Sequence, residues 1–321
     1  MSREIGSEFQ RMPIESGRGL TFPRSGSFVF SGRTAIEAVL KQLPDAHTAL
    51  LPSYCCDSMI EPFRSAGKKI DFYDVNWDDG ITIAVEDTAD IILWCNYFGF
   101  KNKMPSLDGV IIEDITHSLL SEVQCHQTAS YLVASLRKWE PTNCGGYCSV
   151  EVKGTEPPEE FIRLKSSAME LKAQYLRDLD PVKKPQFLQM FADSNRWLAK
   201  HYSGLGIDSR SRMYFSSINM EKQREIRRKN AHVLYEGLKS KVRFLFPEED
   251  MDCPLFVPIL TKNRDDIRRH LTKKEIYCPV HWPKPEGCES NIYDMELSLV
   301  CDQRYGIKDM ERIVSALSEM L

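Results

Sequence analysis

The chain has 321 residues, 42% of them apolar and 27% charged, with a formal net charge of −4. That balance belongs to a globular protein and excludes intrinsic disorder and fibrous structure. The mild acidity argues against a surface built to coat nucleic acid or an anionic membrane. Two domains are expected at this length, and a chain this long buries enough surface to fold without disulfides or a metal.

The opening MSREIGSEFQ contains no apolar stretch, so no signal peptide is expected. No run approaches the ~20 apolar residues that a spanning helix needs. Ten cysteines are scattered without a CxxC pair, and Cys144 and Cys148 flank Gly145 and Gly146 with no second pair to complete a zinc site. The thiols read as reduced and buried, as in a cytoplasmic protein.

In chain order, residues 34–43 read as a helix, with Ile36, Val39, Leu40 and Leu43 at helical spacing. Residues 48–52 (TALLP) form a strand and residues 58–66 a helix. Strands follow at 70–75, 91–95 (IILWC), 110–114 (VIIED) and 131–135 (YLVAS). These runs are too short for helices and too continuous for a half-exposed antiparallel sheet. They fit strands buried on both faces, hence an α/β fold with a mostly parallel, doubly wound sheet. After Pro157 and Pro158, helices are expected over 159–179, 185–202 and 221–241. The remaining residues alternate strand-like and helix-like pieces up to a closing helix near 310–317, as in a smaller α+β domain. The expected organisation is an N-terminal arm (1–30), a large domain (31–218), and a linking helix with the small C-terminal domain (219–321).

Open parallel sheets bind ligands at the carboxyl ends of their strands. Those ends carry Ser53-Tyr54-Cys55-Cys56, Asn96-Tyr97-Phe98-Gly99, Asp114 with His117, and Ser135-Leu136-Arg137-Lys138 followed by Gly145-Gly146. Ser31-Gly32-Arg33-Thr34 precedes the first helix. Each piece has two readings. Lys138 is a solvated loop lysine, or a desolvated amine suited to Schiff-base chemistry. Asp114 forms a turn, or keeps a pyridine nitrogen protonated. The Ser-Gly-Arg-Thr start is a plain N-cap, or a cradle for a phosphate. His117, Tyr97 and Phe98 pack the core, or face a ligand.

Taken together these residues resemble the fold-type I aminotransferases that depend on pyridoxal 5'-phosphate (PLP), in particular the sugar aminotransferases of the DegT/DnrJ/StrS family. IIEDITHS is similar to that family's Glu-Asp-x-x-Gln/His element, SLRKW with the following CGG to its Ser…Lys…Gly-Gly segment, and SGRTAI to its phosphate-cradling helix start. The resemblance implies PLP as cofactor, with Lys138 as the Schiff-base lysine, Asp114 on the pyridine nitrogen and His117 on the ring oxygen. It implies phosphate contacts from Gly32, Arg33, Thr34 and Ser135. Cys56 stands where many members carry the aromatic that stacks on the ring, which leaves Tyr54, and after it Tyr97, as substitutes. Tyr97, His281, Trp282 and Arg304 are implied near the substrate. Arg33 or Arg304 would meet a donor carboxylate. A homodimer with shared active sites is also implied, with Ser209-Arg210-Ser211-Arg212 reaching across the interface. The expected activity is transfer of an amino group from a small-molecule donor such as glutamate to a keto-sugar or related carbonyl, with no nucleic acid or membrane partner. The alternatives are a PLP-dependent lyase or desulfurase using Cys55 or Cys56, and a non-catalytic relative acting as a binding subunit.

Overall fold

Eight strands drawn from the first half of the chain build one sheet. The computed structural model describes residues 4–14 and 16–321; residues 1–3 and 15 of the expected arm lie outside the described residues. The chain runs through β1 (Ile5–Gly6), β2 (Ser27–Val29), α1 (Gly32–Leu40), β3 (Thr48–Pro52), α2 (Asp57–Ser65), β4 (Lys69–Trp77), β5 (Ile81–Ala84) and β6 (Ile91–Cys95). It continues with β7 (Val110–Asp114), β8 (Tyr131–Ser135) and β9 (Gly146–Cys148), then α3 (Glu159–Asp178), α4 (Lys183–Lys200), α5 (Ser209–Phe215) and α6 (Met220–Leu238). The last part holds β10 (Arg243–Phe244), β11 (Val257–Leu260), α7 (Arg264–Lys273), β12 (Ile276–Tyr277), β13 (Glu296–Leu299) and α8 (Ile307–Ser318).

The large sheet has the order β2-β9-β8-β7-β6-β3-β4-β5. Its central strands β8, β7, β6, β3 and β4 are parallel, and antiparallel pairings flank them on either side. The fully apolar β6 is buried along its whole length, as a strand covered on both faces must be. β2, β5 and β9 are additions to the strands expected in this sheet. β5 alternates half-buried and exposed residues on a sheet edge, and β2 and β9 are each only three residues long. β4 runs on to Trp77 because its last residues pair with β5.

β10, β11 and β13 form a separate antiparallel sheet in the C-terminal part, where α6 packs on α8. The first thirty residues divide between the large sheet and a third, two-stranded sheet. β1 pairs with β12, and Gly6 N donates to Tyr305 Oη at 2.8 Å; β2 pairs with β9 in the large sheet. α3 and α4 form a hairpin with its own apolar cluster of Ala168, Met169, Tyr175, Phe187 and Phe191. The hairpin is anchored by Phe161 and Trp197 against Phe30, and by Lys172 and Lys184 on the buried Glu4 at 3.0 and 3.1 Å. Burial pushes the Lys172 amine down to about 8.

Gly146 holds β9 against the start of α1. A Cβ there would stand 2.3 Å from the Ser31 carbonyl oxygen, a backbone atom with no room to yield. Gly146→Ala is therefore expected to lose about 1–3 kcal/mol of stability by overpacking, read from urea denaturation. A change within about 0.5 kcal/mol, the range of an ordinary surface substitution, would contradict this packing.

Candidate active site

β7 ends in two acids that point to opposite sides, as alternation along a strand requires. Glu113 is fully buried and committed to structure: it accepts from Asn96 Nδ2 at 2.8 Å and His126 N at 2.9 Å, and its carboxylate holds the His126 imidazole above its usual range. Asp114 faces a cavity. Its Oδ1 accepts from Thr116 N at 2.8 Å and from the Thr116 hydroxyl, the side-chain turn that an Asp two residues before a Thr forms readily. Its Oδ2 has no protein partner among the described residues. Burial raises the Asp114 carboxyl, opposed by the Thr116 bonds and the charge of Lys138.

Thr116 also accepts from Ser135 N at 2.9 Å through its hydroxyl and from Trp139 Nε1 at 2.6 Å through its carbonyl. It thereby fixes the end of β8 and the single 3-10 turn Leu136–Lys138 that follows. The Lys138 amine makes no hydrogen bond or ion pair among the described residues; its Nζ lies 5.7 Å from the centre of the Trp282 ring. α1 starts beside this turn. Ser31 caps it by accepting from Thr34 N at 3.3 Å, and a Cβ on Gly32 would come within 3.1 Å of the Ser135 Cβ. The Ser135 hydroxyl has no partner among the described residues. Free first-turn amides and a free hydroxyl are thus side by side, the combination that receives an oxyanion.

Two imidazoles complete the wall, with their ring centres 6.3 Å apart. Phe98 N donates to His117 Nδ1 at 3.0 Å, so the neutral ring carries its proton on Nε2. Phe98 adopts a positive φ of 55° to aim that amide. The next residue is Gly99, where a Cβ would stand 1.8 Å from the Cys253 carbonyl oxygen. Burial, with the charges of Lys138 and His281, pushes His117 well below its ordinary value. His281 is held the other way round: its Nδ1 lies 2.8 Å from Ser298 Oγ, whose hydroxyl donates to Glu296, leaving Nε2 bare.

Asp114, His117, Ser135, Lys138, Gly32, Arg33 and Cys56 all line one cavity, with Trp282. His281 and Arg304 line a larger cleft that shares Arg33, Arg137, Lys138 and Leu198 with it. Three expected residues lie elsewhere. The Thr34 hydroxyl donates to Tyr202 O at 2.9 Å, turned into the core by the helix it begins. Tyr54 is fully buried behind the wall and donates to the His281 carbonyl, and Tyr97 donates to the Tyr54 carbonyl at 2.7 Å. Cys56 and Met59 take the wall position that an aromatic was expected to fill. Arg304 reaches the cleft with its guanidinium already occupied by Asp302 and by the Ser7 and Glu8 carbonyls. Ser211, in the segment expected to reach a partner subunit, is buried and accepts from Asn143 N at 3.2 Å. Thr116, Arg137 and Leu198 were not singled out in the sequence. For Thr116 the signal was there, in the Asp-x-Thr spacing.

No protein-family model matches this chain, and no curated protein sequence matches it. Solved structures do. A DegT/DnrJ/EryC1/StrS aminotransferase from Brucella abortus superposes with a TM-score of 0.59 at 16% identity, over 94% of this chain and 91% of the other. The aminotransferase TlmJ from Streptoalloteichus hindustanus gives 0.65 at 13%, over 92% and 86%. Spr1654 from Streptococcus pneumoniae, in its PLP form, gives 0.63 at 12%, over 95% and 94%. At these identities the likeness shows the fold, and it spans almost the whole chain.

The histidines give a direct check on the site's electrostatics. The lowered value of His117 means that the folded protein resists protonation there. This residue therefore favours folding above about pH 6.5 and withdraws that contribution as the pH falls below it. In a nitrogen-15 NMR titration His117 should still be an Nε2–H imidazole at its ordinary midpoint of about 6.5, while His126 titrates above that midpoint. A His117 midpoint at or above 6.5 would contradict the described wall.

Proposed function

We propose that this chain is a PLP-dependent aminotransferase that moves an amino group from an amino acid such as glutamate to a keto-sugar or related carbonyl, acting as a cytoplasmic homodimer. The observation that carries the reading is the pairing of two unsatisfied groups in one cavity: Asp114 Oδ2, without a hydrogen bond, and the Lys138 amine, without a counter-ion. A buried acid and a half-buried amine left without partners are costly unless a ligand completes them. The residues fit PLP. Gly32, Arg33 and Ser135 would hold its phosphate, Asp114 its ring nitrogen, the His117 Nε2–H its ring oxygen, and Lys138 its aldehyde carbon. The ten cysteines are all unpaired, which agrees with a reducing compartment.

When bound, PLP supplies a carbonyl that condenses with an amine and a ring that takes up the electron pair left on the donor carbon. Asp114 keeps the ring nitrogen protonated, because a carboxylate raised by burial is stabilised by a cation placed against it. His117 donates from Nε2 and does not compete for that proton, since burial keeps it neutral. Lys138 would hold the cofactor through its amine, and with that amine free its Nζ is placed to take up a proton from a donor carbon in the cavity and to give it back. Thr116 contributes by fixing the Asp114 carboxylate and the Ser135 backbone at once. Leu198 of α4 and Trp282 help exclude water.

Incubation with glutamate, glutamine or alanine should convert the bound cofactor to pyridoxamine phosphate and release the matching keto acid. Asp114→Asn should slow this half-reaction by about 10²–10³-fold, the usual cost of a lost electrostatic partner at a reacting centre. Cys56→Ser should leave it largely intact. Loss of turnover in the Cys56 variant with cofactor binding preserved would favour the desulfurase reading, in which a wall thiol accepts sulfur. No conversion by any donor of a broad panel would overturn the transaminase assignment.

A further inference from the structure

The arginines around the two cavities differ in how they are satisfied. Arg304 is filled by Asp302 and backbone carbonyls. Arg227 donates to the Pro254 and Leu255 carbonyls at 3.2 and 3.1 Å and to Gln303 at 2.6 Å, and lies over the Trp139 ring at 4.4 Å. Arg33 has Glu61 at 3.6 Å, and Arg268 is exposed to solvent. Arg137 differs from all of these. Its Nε is buried without a hydrogen-bond partner, as are the Nε atoms of Arg33 and Arg227, but where those two have other partners its guanidinium makes no hydrogen bond and no ion pair among the described residues. The nearby Glu8 is engaged by Asn195 Nδ2 at 2.9 Å and by Lys165 at 3.5 Å. Arg137 also lines both the inner cavity and the outer cleft, next to Lys138 and close to Arg33, whose like charge it must tolerate.

We propose that Arg137 is the oxyanion anchor at the junction of the two cavities, and that a carboxylate or phosphate group of a bound small molecule completes its guanidinium. This deepens the reading above and rests on it only for the identity of the oxyanion, which is either the cofactor phosphate or an anionic group of the amino-group donor or acceptor. A guanidinium presents a planar fork that matches such groups bidentately. Arg137 is half-buried, and a cation withdrawn from water with an unpartnered buried Nε lowers stability. Its presence beside the reactive lysine therefore points to a ligand, because no packing role is served by leaving it bare. Ser135 and the start of α1 touch one another and line the same cavity as Arg137, so an oxyanion in it has hydroxyl and backbone donors as well as the guanidinium within one wall.

The test compares wild type, Arg137→Gln and Arg137→Lys by direct binding to the full chain, with no turnover required. The probes are PLP, pyridoxal (the same ring without the phosphate), inorganic phosphate and 2-oxoglutarate. Arg137→Gln should lose about 10- to 100-fold in affinity for at least one oxyanion probe, as expected for a charge-assisted hydrogen bond. Arg137→Lys should fall between the two. If the preference for PLP over pyridoxal collapses, the oxyanion is the cofactor phosphate; if 2-oxoglutarate is lost while that preference holds, it is the substrate carboxylate. The melting temperature separates binding from structure: Arg137→Gln should melt at or above wild type, since the variant removes a half-buried charge that has no ion-pair partner among the described residues. Unchanged affinity for all four probes would overturn the proposal, and so would a marked drop in melting temperature with binding intact. Oxyanion binding that persists in a chain no amino donor can convert would leave the anchor standing and remove the aminotransferase reading.

Discussion

Everything at the carboxyl edge of the large sheet depends on the hydroxyl of Thr116. It donates to Asp114 and accepts from the backbone of Ser135, so one oxygen couples the ends of β7 and β8. The carbonyl of the same residue receives the Trp139 indole and fixes the turn that carries Lys138. The coupling is possible because β7 and β8 are parallel neighbours, with Asp114 opposite Val133. Parallel strands deliver their carboxyl ends to the same edge. In an antiparallel pair the carboxylate and the lysine would emerge on opposite edges, and no local turn could bring them together.

Charge is distributed on two plans. Away from the cavity these buried ions have partners: Glu113 is bonded by Asn96 and His126, Arg304 by Asp302, and Glu4 is ion-paired with two lysines. Facing the cavity, Asp114 Oδ2, the Lys138 amine and the Arg137 guanidinium have no hydrogen-bond partner among the described residues, and the two histidines are held neutral in opposite tautomers. Such groups lower stability, and proteins retain them where a ligand or a proton makes use of them. The tether between the two sheets counteracts part of that cost, through Tyr54 on the His281 carbonyl and the exchange of hydrogen bonds between Tyr293 and Cys55.

The fold was legible because burial on both faces leaves a plain record: TALLP, IILWC, VIIED and YLVAS each became a parallel strand. β5 and β9 were not legible, since an edge strand and a three-residue strand carry too little apolar pattern. Nor was the division of the first thirty residues between two sheets, which depends on partners more than a hundred residues away. In the site, Asp114 and Lys138 could be found because each follows an apolar strand directly. Thr34 and Tyr54 were assigned to the cavity by position in a motif. Side-chain direction turned both away, Thr34 towards Tyr202 and Tyr54 towards His281. Arg137 was passed over for the opposite reason: only the tertiary structure shows that an arginine lacks a partner.

The central claim is that Lys138 and Asp114 face one another to hold a PLP ring between them. Borohydride reduction of the purified, PLP-loaded chain, followed by digestion and mass spectrometry, tests it most directly. The account predicts loss of the visible absorption band and a single phosphopyridoxyl adduct on the peptide that contains Lys138, absent from Lys138→Ala. A reduced protein that carries no label on that peptide, or carries its label on another lysine, would contradict it.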